Sequence, residues 1–514
     1  MLPLQLQPES HIPLYVQLRD QLRAMVDSGE LRPGDRIPAS RELAVQLGVH
    51  RTTVANAYAE LESEALIEGH VGRGTYICGN LPLRRLSTVP RPQLAASGLR
   101  WEALFADERG EDSLARLMPE EPENSIAFVT ARPSAVFFPL EHFRLCCAAV
   151  LRTDGRRILQ LGNSDGYEPL KSALVEMLRA EGRDVRSDQL LITDGCQQAM
   201  DLLCKAFLRP GDCVALENPA YPGAIAILNV ARARVLGIPV ETGTERGGHL
   251  GMDVASLESI VVQNRVKMIF VTPDFQNPTG TTMPLSERRR LLELASRHQI
   301  PIVEDYIYAR LRVRGPHIPS LATLDRAGIV IQVDSFSKMA FPGLRVGWTT
   351  GPKNVIERLR LVKQITDLHT DQLAQATMAE FVKRGCLARH LVRMKKVYAS
   401  RLTALETALA RHMPQDVSWT RPEGGMSLWV TLPAGIDAGE LLIHVRERGV
   451  LFVPGRHFYL QTPQPNTLRL GFAGVDERRI DRGVATLAQL LKAELRKRQQ
   501  HGPRRVEAAR VALV

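Results

Sequence analysis

The chain has 514 residues, 44% of them hydrophobic and 24% charged, a balance ordinary for packed globular protein and long enough for more than one domain. No uninterrupted apolar run reaches the ~18 residues of a membrane span, and MLPLQLQPESHIPLY at the start lacks a basic region before a long apolar stretch, so neither a membrane helix nor a signal peptide is expected. The net charge of +10 is uneven: residues 11–79 hold seven basic against nine acidic side chains, residues 489–514 seven against two.

The first predicted helix lies within residues 12–30, where Leu14, Leu18, Leu22, Met25 and Val26 recur at helical spacing until SGELRPGDRIP supplies Gly and Pro stops. A second, short helix follows in ASRELAVQLG, with Ser40 as N-cap and Gly48 as its end. In the third, VHRTTVANAYAELESEALI, residues Val54, Tyr58, Leu61 and Ala65 form an apolar stripe while His50, Arg51 and Thr52 crowd the exposed first turn. Glu60, Glu62, Glu64 and Glu68 are expected later in that helix, facing away from phosphate. IEGHVGRGTYICG then alternates apolar and polar residues around Gly72-Arg73-Gly74, a hairpin signal.

Three helices and a two-stranded wing make a winged helix-turn-helix, which would place Arg51 and Thr52 near base edges in the major groove and Arg41 and the wing tip near the backbone or minor groove. Spacing alone leaves a second reading open, a helical packing module whose arginines are merely solvated. The motifs are more specific: PASRELA, GVHRTTV and GRGT stand in the order of the GntR-type bacterial regulators, and residues 13–77 resemble the DNA-binding domain of that family. The resemblance implies operator contacts at Arg41, Arg51 and Gly72. The domain is expected over residues 8–79 and a semi-extended Pro/Ser/Arg-rich linker over 80–122.

From residue 123 short Val/Ile/Leu runs alternate with helical segments: QLLITDG, the helical CQQAMDLLCKAFL, then DCVALENP, KMIFVTP, IPIVEDY and IVIQVDSFS. This texture indicates an α/β domain with a mostly parallel sheet covered on both faces, and ligands of such sheets bind at the carboxyl ends of strands. Asp194-Gly195, Asn277, Asp305 and Ser335 to Lys338 fall at those ends. A lysine can hold an aldehyde as an imine, hydroxyls, an arginine and helix N-terminal amides can hold a phosphate, a buried carboxylate can hold a protonated pyridine nitrogen, and an aromatic ring can stack on the cofactor face. Pyridoxal 5'-phosphate uses all four.

Residues 123 to about 492 resemble a fold-type I, class I/II aminotransferase with a smaller α+β subdomain, and its fusion to a GntR-type domain resembles the MocR family of bacterial regulators. The resemblance implies that Lys338 carries the cofactor aldehyde. It places the phosphate on Ser335, Ser337 and Arg345 together with Gly195, Cys196 and Gln197, where Cys196 replaces the usual serine by a weaker donor. Tyr221 of NPAYPG would stack on the ring, Asn277 of QNPTG and Tyr308 of EDYIY would meet the phenolic oxygen, with Tyr306 the less favoured tyrosine, and Asp305 would pair with the ring nitrogen. Arg469 in NTLRLGF would clasp the substrate carboxylate, and Tyr167 would reach the phosphate of a neighbouring subunit, which implies a homodimer. A domain over residues 123–495 and a basic tail over 496–514 complete the expected organisation; the tail reads as a frayed helix end or a nucleic-acid contact.

These features predict a cytoplasmic, promoter-binding regulator that senses an amine, an amino acid or the cofactor itself; an active transaminase of the 2-aminoadipate or aromatic type is the alternative. The seven cysteines include no C-x-x-C pair and no His-Cys cluster at zinc spacing, so reduced thiols and no metal are expected.

Overall fold

The computed structural model describes residues 3–7, 12–64, 66–70, 74–78, 124–243 and 250–501, distributed over two compact units, residues 1–103 and 104–514. The linker expected over 80–122, the wing-tip Gly72 and the end of the tail, residues 502–514, lie outside the described residues.

In the first unit, helix α1 (Leu14–Asp27) buries Leu18, Leu22, Met25 and Val26. Strand β1 (Arg36–Ile37), helix α2 (Ser40–Leu47), helix α3 (Arg51–Ser63) and strands β2 (Ile67–His70) and β3 (Gly74–Ile77) follow. The strands form an antiparallel sheet in the order β1-β3-β2. Ser40 is the first helical residue and not the cap; Ala39 occupies that position, and its amide donates to the Glu42 carboxylate at 3.3 Å. Gly48 ends α2 at φ +65, where a side chain would be strained. The α3 stripe is buried at Val54, Ala57, Tyr58 and Leu61, and joins Leu18, Leu22, Ile37, Ile67 and Ile77 in one core.

Glu60 and Glu64 are held against α1, Glu60 by Arg19 at 2.6 Å and Glu64 by Arg23. These exposed pairs contribute only ~0–1 kcal/mol each. Their effect is directional, because they draw the acidic end of α3 back onto α1 and leave the first turn cationic. Glu68 lies on β2 and not, as expected, on the helix.

The second unit begins with β4 (Ile126–Ala127), α4 (Leu140–Ile158) and α5 (Glu168–Ala180). Next come β5 (Leu190–Thr193), α6 (Cys196–Phe207), β6 (Cys213–Asn218), α7 (Pro222–Val230), β7 (Arg234–Thr242) and β8 (Leu250–Met252). Strands β9 (Val266–Val271), β10 (Ile302–Asp305), β11 (Val330–Ser335) and β12 (Gly347–Thr350) complete an eight-stranded sheet in the order β5-β12-β11-β10-β9-β6-β7-β8. Only β12 and β8 run against the rest. Every residue of β5, β10 and β11 is buried, as a strand covered on both faces requires.

A smaller antiparallel sheet of β13 (Ser418–Trp419), β14 (Ser427–Thr431), β16 (Val453–Pro454) and β17 (Thr467–Gly471) has the order β13-β14-β17-β16, while β15 (Val450–Leu451) pairs with β4. Its core joins Leu428, Leu468, Leu470 and Phe472 to Tyr398 and Leu402 of the helix Cys386–His412 and to Leu487 of the helix Glu477–His501. That last helix runs without interruption through residues 496–501, which were expected in the tail. No helix among the described residues is long and apolar enough to cross a membrane, and all seven cysteines are free.

Candidate functional site

The parallel strands deliver Asp194, Asn277, Asp305 and the loop from Ser335 to one end of the large sheet. There a cavity of about 460 Å³ is lined by Cys196, Gln197, Tyr221, Asn277, Asp305, Tyr308, Ser337, Lys338, Arg345 and Arg469. Thus ten of the thirteen residues expected around the cofactor and its substrate converge on one space. The other three do not line it.

Ser335 is fully buried; its hydroxyl lies 2.8 Å from Ser337 Oγ, donates to the Val346 carbonyl at 3.0 Å and accepts from the Ser337 amide at 3.1 Å. It therefore shapes the loop that presents Ser337 and does not itself reach the wall. Gly195, at φ +91, is a steric requirement: a Cβ there would stand 2.7 Å from Arg345 Nη2. Tyr167 lies outside this chain's own cavity, where its hydroxyl donates to Asp154 at 2.9 Å and the Arg157 guanidinium stands 5.3 Å from its ring centre.

Arg345 is held from two sides, donating to the Asp194 carbonyl at 2.9 Å and to Ser337 Oγ at 3.3 Å. Its backbone is left-handed at φ +53, a conformation costing a non-glycine residue ~1–2 kcal/mol and tolerated where function needs the aim. With the amino end of α6 beside it, at Cys196 and Gln197, this corner combines a guanidinium, a hydroxyl and free helix N–H groups, the donor set of a phosphate site. Burial pushes the Cys196 thiol well above its ordinary pKa, so it stays neutral.

Lys338 Nζ donates to the Ala131 carbonyl at 2.8 Å and lies 5.8 Å from the centre of the Tyr308 ring. Burial, aided by the positive charges of Arg469 and Arg132, lowers its pKa to about 8. Asp305, the last residue of β10, accepts from the Ile307 amide at 3.2 Å, and burial raises its carboxyl to about 7. One wall thus carries an amine that loses its proton readily, and another a carboxyl that holds its proton more tightly than usual and whose ionised form a neighbouring cation would favour.

Tyr308 lines the cavity, whereas Tyr306 does not and packs under Arg310, 5.2 Å from its guanidinium. The Tyr221 hydroxyl donates to Gln197 at 3.3 Å. Arg469 is on an interior strand, donating to Asn277 Oδ1 at 2.9 Å and to the Val129 carbonyl at 2.6 Å. Its Nε is buried without a partner, and burial lowers its pKa to about 10. Asn277 therefore has a task the sequence did not reveal, that of aiming Arg469.

Behind the wall, Arg310 binds Glu181 at 2.6 Å and 2.8 Å and pairs with Asp334, tying the base of the lysine loop to α5. A second group, the half-buried Asp194, Gln198 and Asp367 around the buried Lys363, braces the start of α6. Both join residues far apart in the chain. Arg132, Thr130 and Ile307 also line the cavity and were not expected there. In the first unit Arg41, Arg51 and Thr52 are all exposed, and His50 Nδ1 caps α3 by accepting from the Thr52 amide at 3.5 Å.

Residues 140–487 match the family described as aminotransferase class I and II, and residues 14–77 the bacterial regulatory proteins of the gntR family. Among curated proteins the chain is 37% identical to a 2-aminoadipate transaminase of Thermus thermophilus, over 72% of this chain and 91% of the relative. It is 30% identical to the probable rhizopine catabolism regulatory protein MocR of Rhizobium meliloti, over 93% of this chain and 94% of the relative. Among solved structures, an alpha-aminoadipate aminotransferase of Thermus thermophilus, complexed with N-(5'-phosphopyridoxyl)-L-leucine, is 35% identical with a TM-score of 0.70, covering 78% of this chain and all of that one.

Proposed function

The chain belongs to the class I and II aminotransferase family and carries a gntR-family regulatory domain, and from that premise we propose that it is a pyridoxal phosphate-dependent, DNA-binding transcription regulator whose larger unit senses an amine or amino acid. The observation that carries the reading is the cavity itself: a lysine of lowered pKa, a phosphate-type corner and a buried guanidinium with one unpartnered N–H, at Nε, meet in one space, in a chain similar over nearly its whole length to a regulator. The residues present fit the cofactor.

Bound there, pyridoxal phosphate supplies an aldehyde that condenses with amines and a ring that withdraws electrons. Arg345, Ser337 and the amides at the start of α6 would hold its phosphate, Tyr221 would stack on the ring, Asp305 would pair with the ring nitrogen, and Tyr308 and Asn277 would hydrogen-bond its phenolic oxygen. Lys338, neutral in good part near pH 8, supplies the nucleophilic nitrogen. Arg469, aimed by Asn277 and Val129, takes the carboxylate of an incoming amino acid. An effector that occupied the cavity would change the contacts Lys338 makes there, and through the lysine loop would shift the conformational balance of the protein.

The protein acts as a cytoplasmic homodimer. Exposed Leu140, Leu145, Leu151, Leu159 and Leu161 along and just beyond α4, beside Tyr167, support a second copy there. Arg51 and Thr52 read bases and Arg41 the backbone. An Arg51→Ala variant is expected to bind DNA from its own promoter about 5- to 150-fold more weakly, with relaxed base preference at the position it reads, in a fluorescence-anisotropy titration; unchanged affinity would remove α3 from the interface. Cys196→Ser, which puts a stronger donor at the phosphate corner, is expected to tighten cofactor binding about fivefold, close to ~1 kcal/mol, in an equilibrium absorption titration.

The same cavity favours one second reading, an active transaminase, because Lys338, Asn277 and Arg469 all reach it. Multiple turnovers with an amino acid and a keto acid would support that activity; conversion stopping at one half-reaction would leave sensing alone. The regulatory reading is tested by titrating amino acids into cofactor-loaded protein on promoter DNA, where an unchanged DNA affinity for every amine that alters the cofactor spectrum would sink it.

A further inference from the structure

Segment 129–132 forms a ledge across the cavity. The Val129 carbonyl accepts from Arg469 Nη2 at 2.6 Å, and two residues on the Ala131 carbonyl accepts from Lys338 Nζ at 2.8 Å. The next side chain along is Arg132. It lines the same cavity, is exposed, and is held by no hydrogen bond or ion pair among the described residues. Pro133, which is buried, follows it and restricts its backbone to extended conformations, so its start is fixed while its guanidinium is free.

Charge then narrows what the cavity can accept. Its lining holds four cationic side chains, Arg132, Lys338, Arg345 and Arg469, against one carboxylate, Asp305. On the reading above, Arg345 is spent on phosphate, Lys338 on the aldehyde and Asp305 on the ring nitrogen. Two guanidiniums remain, and an α-carboxylate satisfies only Arg469. An apolar effector would leave Arg132 in the same cavity as a second, buried guanidinium with no further carboxylate to neutralise it, a like-charge arrangement that an added acidic group relieves.

We propose that Arg132 is a specificity-determining residue that pairs with a side-chain carboxylate, making dicarboxylic amino acids the preferred effector or substrate class. This rests on the proposed cofactor site. Electrostatic recognition at a partly open rim gives a preference of about 10- to 100-fold over an uncharged isostere, the scale of one charge-assisted hydrogen bond.

The test uses cofactor-loaded full-length protein and follows the change in cofactor absorption on titration with aspartate, glutamate and 2-aminoadipate, against glutamine and norleucine as uncharged partners in size. Wild-type protein should bind at least one of the three diacids about tenfold or more tightly than the uncharged set. Arg132→Gln should abolish that preference while leaving norleucine affinity within about twofold, and Arg132→Lys should retain part of it. An Arg132→Gln protein that keeps the diacid preference, or a wild type without one, overturns the assignment. Failure of the underlying site looks different: the wild type then takes up no cofactor and gives no absorption band at all.

Discussion

Lys338→Ala protein forms no borohydride-stable adduct with pyridoxal phosphate and retains the cofactor about 100-fold less tightly than wild type, a loss near ~2.7 kcal/mol. The substitution removes an amine whose one hydrogen bond among the described residues is to the Ala131 carbonyl, so its melting temperature should stay close to that of wild type. DNA binding without effector should persist, because the lysine belongs to the second compact unit, while the response to amino acids should vanish. The pH dependence is equally specific. Only the neutral amine attacks an aldehyde, and a pKa of about 8 in place of 10.5 makes that form about 300-fold more abundant at neutral pH. The rate of cofactor capture should therefore rise with pH through a midpoint near 8 and then level off; a rate still climbing beyond about pH 10 would mean an ordinary, solvated lysine.

Asp305→Asn is expected to act in opposite directions on loaded and unloaded protein. Without cofactor the carboxyl has a raised pKa of about 7, against about 4 for the unfolded chain, so its ionisation opposes folding. Below about pH 4 both states are protonated and there is no penalty. The penalty grows as pH rises from about 4 to about 7 and is then constant, at most ~4 kcal/mol. The amide escapes it, so cofactor-free Asp305→Asn should melt higher than wild type at about pH 8 and equally at about pH 4. With cofactor the order reverses, since an amide cannot neutralise a protonated ring nitrogen, and affinity should fall about 30-fold or more. Equal melting of the two apo proteins across this range would show that Asp305 is not a desolvated carboxyl.

Much of this arrangement was legible in the amino-acid order because parallel strands buried on both faces must read as Val/Ile/Leu runs, and ligands collect where such runs stop. The positions of Asp194, Asn277, Asp305 and Ser335 followed from that rule. The antiparallel β12 and β8 did not, since direction leaves no trace in a four-residue run such as GWTT. Ser335 was expected at the phosphate through the family resemblance; its hydroxyl is bonded to Ser337 and Val346 and lies behind the cavity wall, a placement that depends on the folded loop and not on residue type. Ser40 read as a cap by residue type, yet the chain turns one position earlier. Arg132 carried no signal, because VTARPS has neither helical nor strand period and gains meaning only once residues 129–132 lie across the cavity between Arg469 and Lys338. Likewise, Arg310 meets Glu181 across 129 positions of sequence, a pairing no local pattern encodes.

The most direct test is to load the full-length protein with pyridoxal phosphate, reduce it with borohydride and map the modified peptides by mass spectrometry. Wild type should carry one pyridoxyl group, on Lys338, and Lys338→Ala none. Wild-type protein unmodified at that position, or modified equally at surface lysines, would contradict this.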